Sequence, residues 1–495
     1  MVCAATDEAP RIARVEHGIE ALVVDDANHP LSLDIRQLMK AYHDPALSIA
    51  VIDNYRIVWT QAYGVVGVDD PTPINERTLF QAGSISKPVA ATAMLQLVER
   101  GKLSLDENVN KYLKTWKLPQ NEFTKDEKVT LRRLASHTAG TTVHGFGGYA
   151  LGTPLPTILQ VLDGTPPANS PPVRVNFVPG SKSRYSGGGV TIEQLVMTDV
   201  TGVAFPELLQ KSVFDKLDMR DSTFEQPLPP GRAAHAAHAT HADGETVKGR
   251  WHVYPEMAAA GLWTTPADLA KFAIETALAE HGKSAKVLSA AMTRERLTAQ
   301  PGTQKQIGIG FFLSPDAAGE FGHDGADDGF QASLTMNAKT GKGVVIMTNS
   351  DNGELIVWDV LRSVAREYAW AHVPEQRSLA RRLTLIALIK GADATLKAYT
   401  EAKADPTQAK DITDGVLIMT GYVAGSTGKR EDAIRIFERN VAEYPKSSYA
   451  LASLGEAYAD SHLNDKARIS FEAALKIDKT NGAAIEGLKK LTATP

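Results

Sequence analysis

Residues 80–87 read Phe80-Gln81-Ala82-Gly83-Ser84-Ile85-Ser86-Lys87, and a largely apolar run from Pro88 to Val98 follows. The pattern predicts a helix that opens near Ser84 and runs to about Arg100, where Gly101 stops it. A hydroxyl at a helix N-terminus meets the positive end of the dipole and free backbone N–H groups. Lys87, three residues on, lies on the same helical face. Two readings compete. In one, Ser84 is a nucleophile whose proton passes to an amine enclosed away from water. In the other, Ser84 is an N-cap followed by a solvated lysine. The tetrapeptide alone does not choose, and the chain holds a second copy, Ser426-Thr427-Gly428-Lys429. That copy falls in a Gly-rich turn between helical segments. It is not a phosphate loop either, because Arg430 stands where Ser or Thr is needed.

Working outward, four further segments stand in order behind the first. They are Leu134-Ala135-Ser136-His137-Thr138-Ala139-Gly140; Pro179-Gly180 with Arg184-Tyr185-Ser186-Gly187; Ala260-Gly261-Leu262-Trp263-Thr264-Thr265-Pro266-Ala267-Asp268-Leu269; and Gly322-His323-Asp324-Gly325. Five ordered matches are far more specific than any one. Over roughly residues 30–370 the chain resembles the serine hydrolases related to class C β-lactamases and penicillin-binding proteins, a group that includes esterases and D-peptidases.

The resemblance implies an acyl-enzyme on Ser84, with Lys87 and Tyr185 handling protons. Which of those two is the acylation base stays open. The backbone N–H groups of Ser84 and Ala326 would form the oxyanion hole, and Gly187, His323 and Gly325 would face the substrate. No cofactor and no metal is implied. Two positions depart from the family pattern. Gly187 replaces the Asn of a Tyr-x-Asn motif, and His323 replaces the Lys of a Lys-Thr-Gly motif. A neutral imidazole holds a substrate carboxylate less firmly than a fixed ammonium does. The expectation is therefore an esterase acting on a small-molecule or peptide substrate. The alternatives are a β-lactamase, a D-amino-acid-specific peptidase, and a sensor that binds or is acylated without turnover.

Phe330, Trp263, Tyr254 and Phe146 are candidates for an apolar pocket wall. His235, His238 and His241 recur every third residue, with Asp243 close behind. They are either converging metal ligands or a solvated loop or helix edge. No His-Glu-x-x-His pattern accompanies them, so no metal site is expected.

The surrounding pattern gives the fold class. Residues 31–43 have helical spacing. Ala46–Ile52 and Ile57–Val66 read as strands around an Asp53-Asn54 turn, and residues 190–217 as helix. Residues 140–182 read as long loops. Ile307–Leu313, Gly329–Asn337 and Gly343–Asn349 read as strands, with a hairpin turn at residues 340–343, and a helix runs from Glu354 to about Ala371. This order fits an α+β fold: an antiparallel sheet flanked by helices, with a helical subdomain.

Beyond Pro374 strand signals vanish, so the expected division is 1–373 for the hydrolase domain and 379–495 for an all-α one. In the latter, Gly421, Ala433 and Phe437 recur 34 residues later as Gly455, Ala467 and Phe471. That is the tetratricopeptide period, and it suggests a homodimer or protein partner docked through those helices.

The composition agrees. The chain has 495 residues, 43% hydrophobic and 22% charged, which is ordinary for a multidomain globular protein. Its net charge of −5 argues against nucleic acid as a partner. Cys3 is the only cysteine, so no intrachain disulfide forms. No apolar run has the length of a membrane span. Small residues at Met1–Thr6 resemble the tail of a removed export signal, which would make the protein periplasmic or secreted. A cytoplasmic start is the alternative.

Overall fold

The structure, a computed structural model, describes residues 8–26, 29–370, 373, 379–410 and 412–493. Met1–Thr6, Cys3 among them, and Pro374 lie outside these residues. The chain forms two compact units. One comprises the described residues of 1–12, 44–241 and 245–373; the other, those of 13–43, 242–244 and 374–495. Among the described residues no helix is long and apolar enough to cross a membrane.

The first unit is built on a seven-stranded antiparallel sheet. We label its strands β1 (Ala46–Asp53), β2 (Arg56–Gly67), β3 (Asp70–Pro73), β4 (Phe312–Leu313), β5 (Glu320–Asp327), β6 (Phe330–Asn337) and β7 (Lys342–Thr348). Their order across the sheet is β4-β5-β6-β7-β1-β2-β3. Asn54 and Tyr55, both at positive φ, make the tight turn that joins β1 to β2. The apolar runs of β1 and β7 are buried almost without interruption, which requires cover on both faces. The helices α1 (Ser86–Glu99), α2 (Gly187–Thr201), α3 (Pro266–Glu280) and α4 (Gly353–Glu367) supply the α part of the fold. Helix α3 packs on β1, β2, β6 and β7, and α4 on β6 and β7. The α+β architecture read from the sequence is the one observed.

Three local expectations change. The strand expected over Ile307–Leu313 shrinks to Phe312–Leu313. The backbone before it is claimed by other partners: Gly310 N–H donates to Ala135 O (2.9 Å) and Arg296 Nε donates to Ile309 O (3.3 Å). The helix expected over residues 190–217 is interrupted at Gly202, which is left-handed at φ 68°, and helical structure resumes over residues 205–217. Strand β5 escapes the periodicity because Gly322, Asp324 and Gly325 interrupt its apolar pattern.

The second unit is helical beyond residue 379. Helix α5 (Leu379–Ala404) breaks at Gly391 and is followed by α6 (Asp414–Ser426), α7 (Arg430–Glu443), α8 (Ser448–Asp460), α9 (Asn464–Ile477) and α10 (Gly482–Ala493). The hairpin Ile19–Asp26 with His29–Leu33 and the helix Ile35–Ala41 belong to this unit as well. The 34-residue spacing has a physical counterpart. A Cβ on Gly421 would lie 2.6 Å from the Phe437 ring, and one on Gly455 the same distance from the Phe471 ring. Each glycine lets the phenylalanine of the next helix seat against its backbone. Gly455→Ala is therefore expected to destabilise this unit by about 1–3 kcal/mol, the cost of overpacking a core. Gly455→Ala with Phe471→Leu should recover part of that loss. Thermal unfolding followed by circular dichroism checks both, and an unchanged melting curve for the single variant would contradict the contact.

Candidate active site

Ser84 lies in a single 3-10 turn, Gly83–Ile85, that leads directly into α1. Ser86 fixes this turn: its hydroxyl donates to Gly83 O (2.6 Å) and accepts the Leu262 N–H (3.0 Å). The turn lies against the edge of β5. Strand β4 pairs only with Phe321 and Gly322, so the rest of that edge is open to residues 82–84. The approach is close enough that a Cβ at Gly325 would fall 2.0 Å from Ala82 O and 3.1 Å from Ser84 N. A Cβ at Gly83 would fall 2.6 Å from Ala326 N. The glycines thus bring the backbone nitrogens of Ser84 and Ala326 to one place.

Helix α1 is buried on nearly every side, and Lys87 with it, at 3% exposure. A helix enclosed all round has no solvent face for a charge, so the ammonium must be satisfied internally. Lys87 Nζ donates to Ser84 Oγ (2.7 Å) and to Ala259 O (2.8 Å). The ring of Tyr185 covers it, with the centroid 4.9 Å from Nζ.

Tyr185 precedes the N-cap of α2. Ser186 Oγ accepts the Gly189 N–H (2.9 Å) and donates to Thr142 O (2.7 Å), and the Ser186 N–H donates to His137 Nδ1 (3.2 Å). His137 and His144 flank the Tyr185 ring at centroid distances of 4.3 and 4.9 Å, and Phe312 stacks on it at 6.1 Å. Burial holds His137 well below the usual imidazole range, and the Lys87 charge adds to that. Its Nδ1 accepts a hydrogen bond, as a neutral ring requires.

A pocket of about 480 Å3 opens over Ser84. Tyr185, His144, His323, Gly325 and Ala326 line it, together with Phe312, Asp324, Glu354 and Trp358. His323 is 5% exposed, and its Nδ1 lies 2.5 Å from Asp324 O. Burial first and the Lys87 charge second push its pKa down to about 3. No fixed positive charge therefore stands at this position.

Three buried carboxyl groups lie behind the site. Burial raises Glu193 and Asp327 well above the carboxylate range, opposed by the Lys87 charge. Burial also pushes Glu256 up to about 7. Burial alone marks these groups, and nothing in the local sequence does.

Of the residues expected at the site, Ser84, Lys87, Tyr185, His323, Gly325 and Ala326 come together. Gly187 does not line the pocket. It is the first residue of α2, its N–H donates to His144 O (2.9 Å), and a Cβ there would meet that oxygen at 3.1 Å and the Phe146 ring at 3.2 Å. The His144 carbonyl and the Phe146 ring thus crowd any side chain at this position. The expected aromatic wall is also different. Phe330 and Trp263 are core residues packed edge to face at 5.7 Å. Tyr254 is buried with its hydroxyl accepting the Asp328 N–H, and Phe146 packs against Gly187. Phe312 and Trp358 form the wall instead. The three histidines at 235, 238 and 241 do not share a ligand set. His238 Nδ1 meets Asp69 Oδ1 at 2.8 Å, while His241 Nδ1 meets Asp351 and Asp328 at 3.4 and 3.7 Å. Ser426, in the second motif copy, ends α6 and donates back to Val423 O.

Comparison with known proteins bears on the whole arrangement. The octameric penicillin-binding protein homologue from Pyrococcus abyssi superposes with a TM-score of 0.53 at 21% identity, over 68% of this chain and 76% of that one. SurE crystallised with D-Leu gives 0.53 at 20% identity, over 70% and 75%. These likenesses concern the fold. Among curated sequences, Protein flp of Staphylococcus aureus (strain N315) is 21% identical over 66% of this chain and 64% of its own length. Unguisins hydrolase ungD of Aspergillus violaceofuscus is 26% identical over 66% of this chain and 62% of its own. The matches thus span a little under two thirds of those relatives. The family model described as Beta-lactamase matches residues 32–365, and with most of the chain inside that match, this protein belongs to the β-lactamase family of serine hydrolases that act on amide or ester bonds.

Proposed function

We propose that the protein is an esterase-type serine hydrolase that forms an acyl-enzyme on Ser84. The observation that carries this reading is the 2.7 Å contact between Lys87 Nζ and Ser84 Oγ at the floor of an open pocket. Ser84 Oγ attacks the substrate carbonyl, and its proton passes to the Lys87–Tyr185 pair. Lys87 Nζ, 2.7 Å from Ser84 Oγ, and Tyr185 share the acceptor role, and the pair gains one proton in this step. The developing oxyanion accepts from the Ser84 and Ala326 N–H groups. The leaving group departs with the stored proton, and water then repeats the sequence on the acyl-enzyme. The helical segment 379–495 contributes none of these residues, and we assign it no part in the chemistry.

An ester preference over β-lactams follows from His323. Burial keeps the imidazole neutral, so a substrate carboxylate gains little by docking there, while a neutral ester loses nothing. In wild-type protein, kcat/KM for short acyl esters is expected to exceed that for a chromogenic cephalosporin. The reverse order would overturn the esterase reading in favour of a β-lactamase.

Ser84→Ala is expected to abolish turnover, and Ser426→Ala to leave it unchanged. Lys87→Met and Tyr185→Phe should each slow acylation by roughly 10²-fold or more. Stopped-flow acylation checks this, with peptide mapping of the serine labelled by a phosphonate ester; a label on any serine other than Ser84 would refute the assignment.

His323 also sets a pH dependence. Its folded pKa of about 3 lies below the ordinary 6.5, so between these values the unfolded chain binds more protons. Stability should therefore fall as pH drops from about 6.5 toward 3. His323→Gln removes this contribution and should lose less stability than wild type between pH 7 and pH 4, by a few °C in Tm (~2–4 °C per kcal/mol for a domain of this size). Parallel acid titrations of Tm for the two proteins would show the imidazole to be solvated if they coincide.

A further inference from the structure

The lining of the pocket carries a charge pattern that acyl transfer alone does not require. Glu354 stands in the first turn of α4, and Trp358, 44% exposed, follows one turn later on the same face. Asp324 projects from the facing part of β5, where its Oδ1 accepts the Ser333 hydroxyl at 2.6 Å. Neither carboxylate pairs with a cation among the described residues. Lys and Arg are absent from the residues that line the pocket, and His323 is uncharged. Burial raises the Asp324 carboxyl, the Ser333 hydrogen bond lowers it in part, and the Glu354 charge raises it again, so the two acids repel and no cation among the pocket-lining residues offsets that repulsion. Trp358 and Phe312 offer aromatic faces in the same space. Carboxylates beside exposed aromatic faces are the arrangement that holds an organic cation.

We infer that this pocket selects esters or amides that carry an alkylammonium group, seated between Glu354 and Asp324 against Trp358. The inference rests on the hydrolase reading of Ser84 and names the substrate class for that same site. A cation there would neutralise the carboxylate pair, whereas an anionic substrate would meet like charge.

The test uses substrate pairs that differ only in charge. On the leaving-group side, acetylcholine is compared with 3,3-dimethylbutyl acetate. On the acyl side, the p-nitrophenyl ester of 4-(trimethylammonio)butanoic acid is compared with that of 5,5-dimethylhexanoic acid. In at least one pair the cationic member is expected to show about tenfold higher kcat/KM, the scale of a partly desolvated ammonium on an aromatic face. The advantage should shrink in about 0.5 M NaCl. The ratio should fall toward one in Glu354→Gln combined with Asp324→Asn, substitutions that keep the shapes and remove the charges. Hydrolysis of both pairs with no cationic preference, or a ratio unmoved in the double variant, overturns this inference and leaves the hydrolase reading standing. No hydrolysis of any ester, with Ser84 also unlabelled by a phosphonate, removes both. Should Ser84 be labelled without ester turnover, protection against labelling is compared for choline and 3,3-dimethylbutanol, and equal protection refutes the selection.

Discussion

A buried ammonium is the constraint on which the rest of this active site depends. Lys87 is carried into the interior by a helix that buries residues on all its faces, and an unpaired charge there would cost several kcal/mol. Among the described residues no carboxylate is hydrogen-bonded to it. Its partners are a hydroxyl, a carbonyl and a ring face: Ser84, Ala259 and Tyr185. Each partner demands structure of its own. The Ala259 carbonyl is delivered by the short helical turn Met257–Ala260, and Leu262, just beyond, donates back to Ser86 in the nucleophile turn. Tyr185 is held by the Ser186 cap of α2 and by His137. Satisfying one cation therefore ties together the nucleophile turn, the second motif and the segment around residue 260, which are far apart in sequence.

That linkage explains which parts of the site are legible in the sequence. Ser84, Lys87 and Tyr185 stand out as a set because they fall in motif-like segments that resemble the family in the same order. The strands β1 and β7 stand out by nearly continuous apolar runs, β6 by alternation of apolar and polar residues, and β2 by its apolar and β-branched content after a turn. Strand β5 does not, although it carries His323, Gly325 and Ala326. The close approach to Ala82 and Ser84 forces glycine into it, and glycine erases the periodicity by which strands are found.

The pocket wall is illegible for a different reason. Aromatic residues near a motif are usually core, and Trp263 and Phe330 are core here. Phe312 follows a stretch whose backbone is held by Arg296 and Ala135, and it lies in the two-residue remnant of the expected strand, 38% exposed. Trp358 and Glu354 lie on a helix that reads simply as cover for the sheet. Only the folded arrangement shows that its exposed face borders the nucleophile. Gly187 shows the converse: a position marked by a motif need not line the pocket, and here the backbone of His144 and the ring of Phe146 close in on it.

The replacement at residue 323 and the acids of the pocket lining fit one electrostatic scheme. A lysine at 323 would add a second ammonium to an interior that already holds Lys87, and each would raise the cost of burying the other. An imidazole avoids this by remaining neutral, and Lys87 helps keep His323 and His137 so. Lys87, hydrogen-bonded to Ser84, then supplies positive charge at the nucleophile, and Asp324 and Glu354 supply negative charge among the residues that line the pocket. Such a pocket has a direction. A polarised carbonyl oxygen is drawn toward Lys87 and the backbone N–H groups of Ser84 and Ala326, while any positive end of the same molecule is drawn toward Asp324 and Glu354. A family scaffold that grips anions with a fixed lysine has the opposite polarity at position 323. The change of one residue there has meaning only together with the charges around it, and for that reason the motif alone does not interpret it.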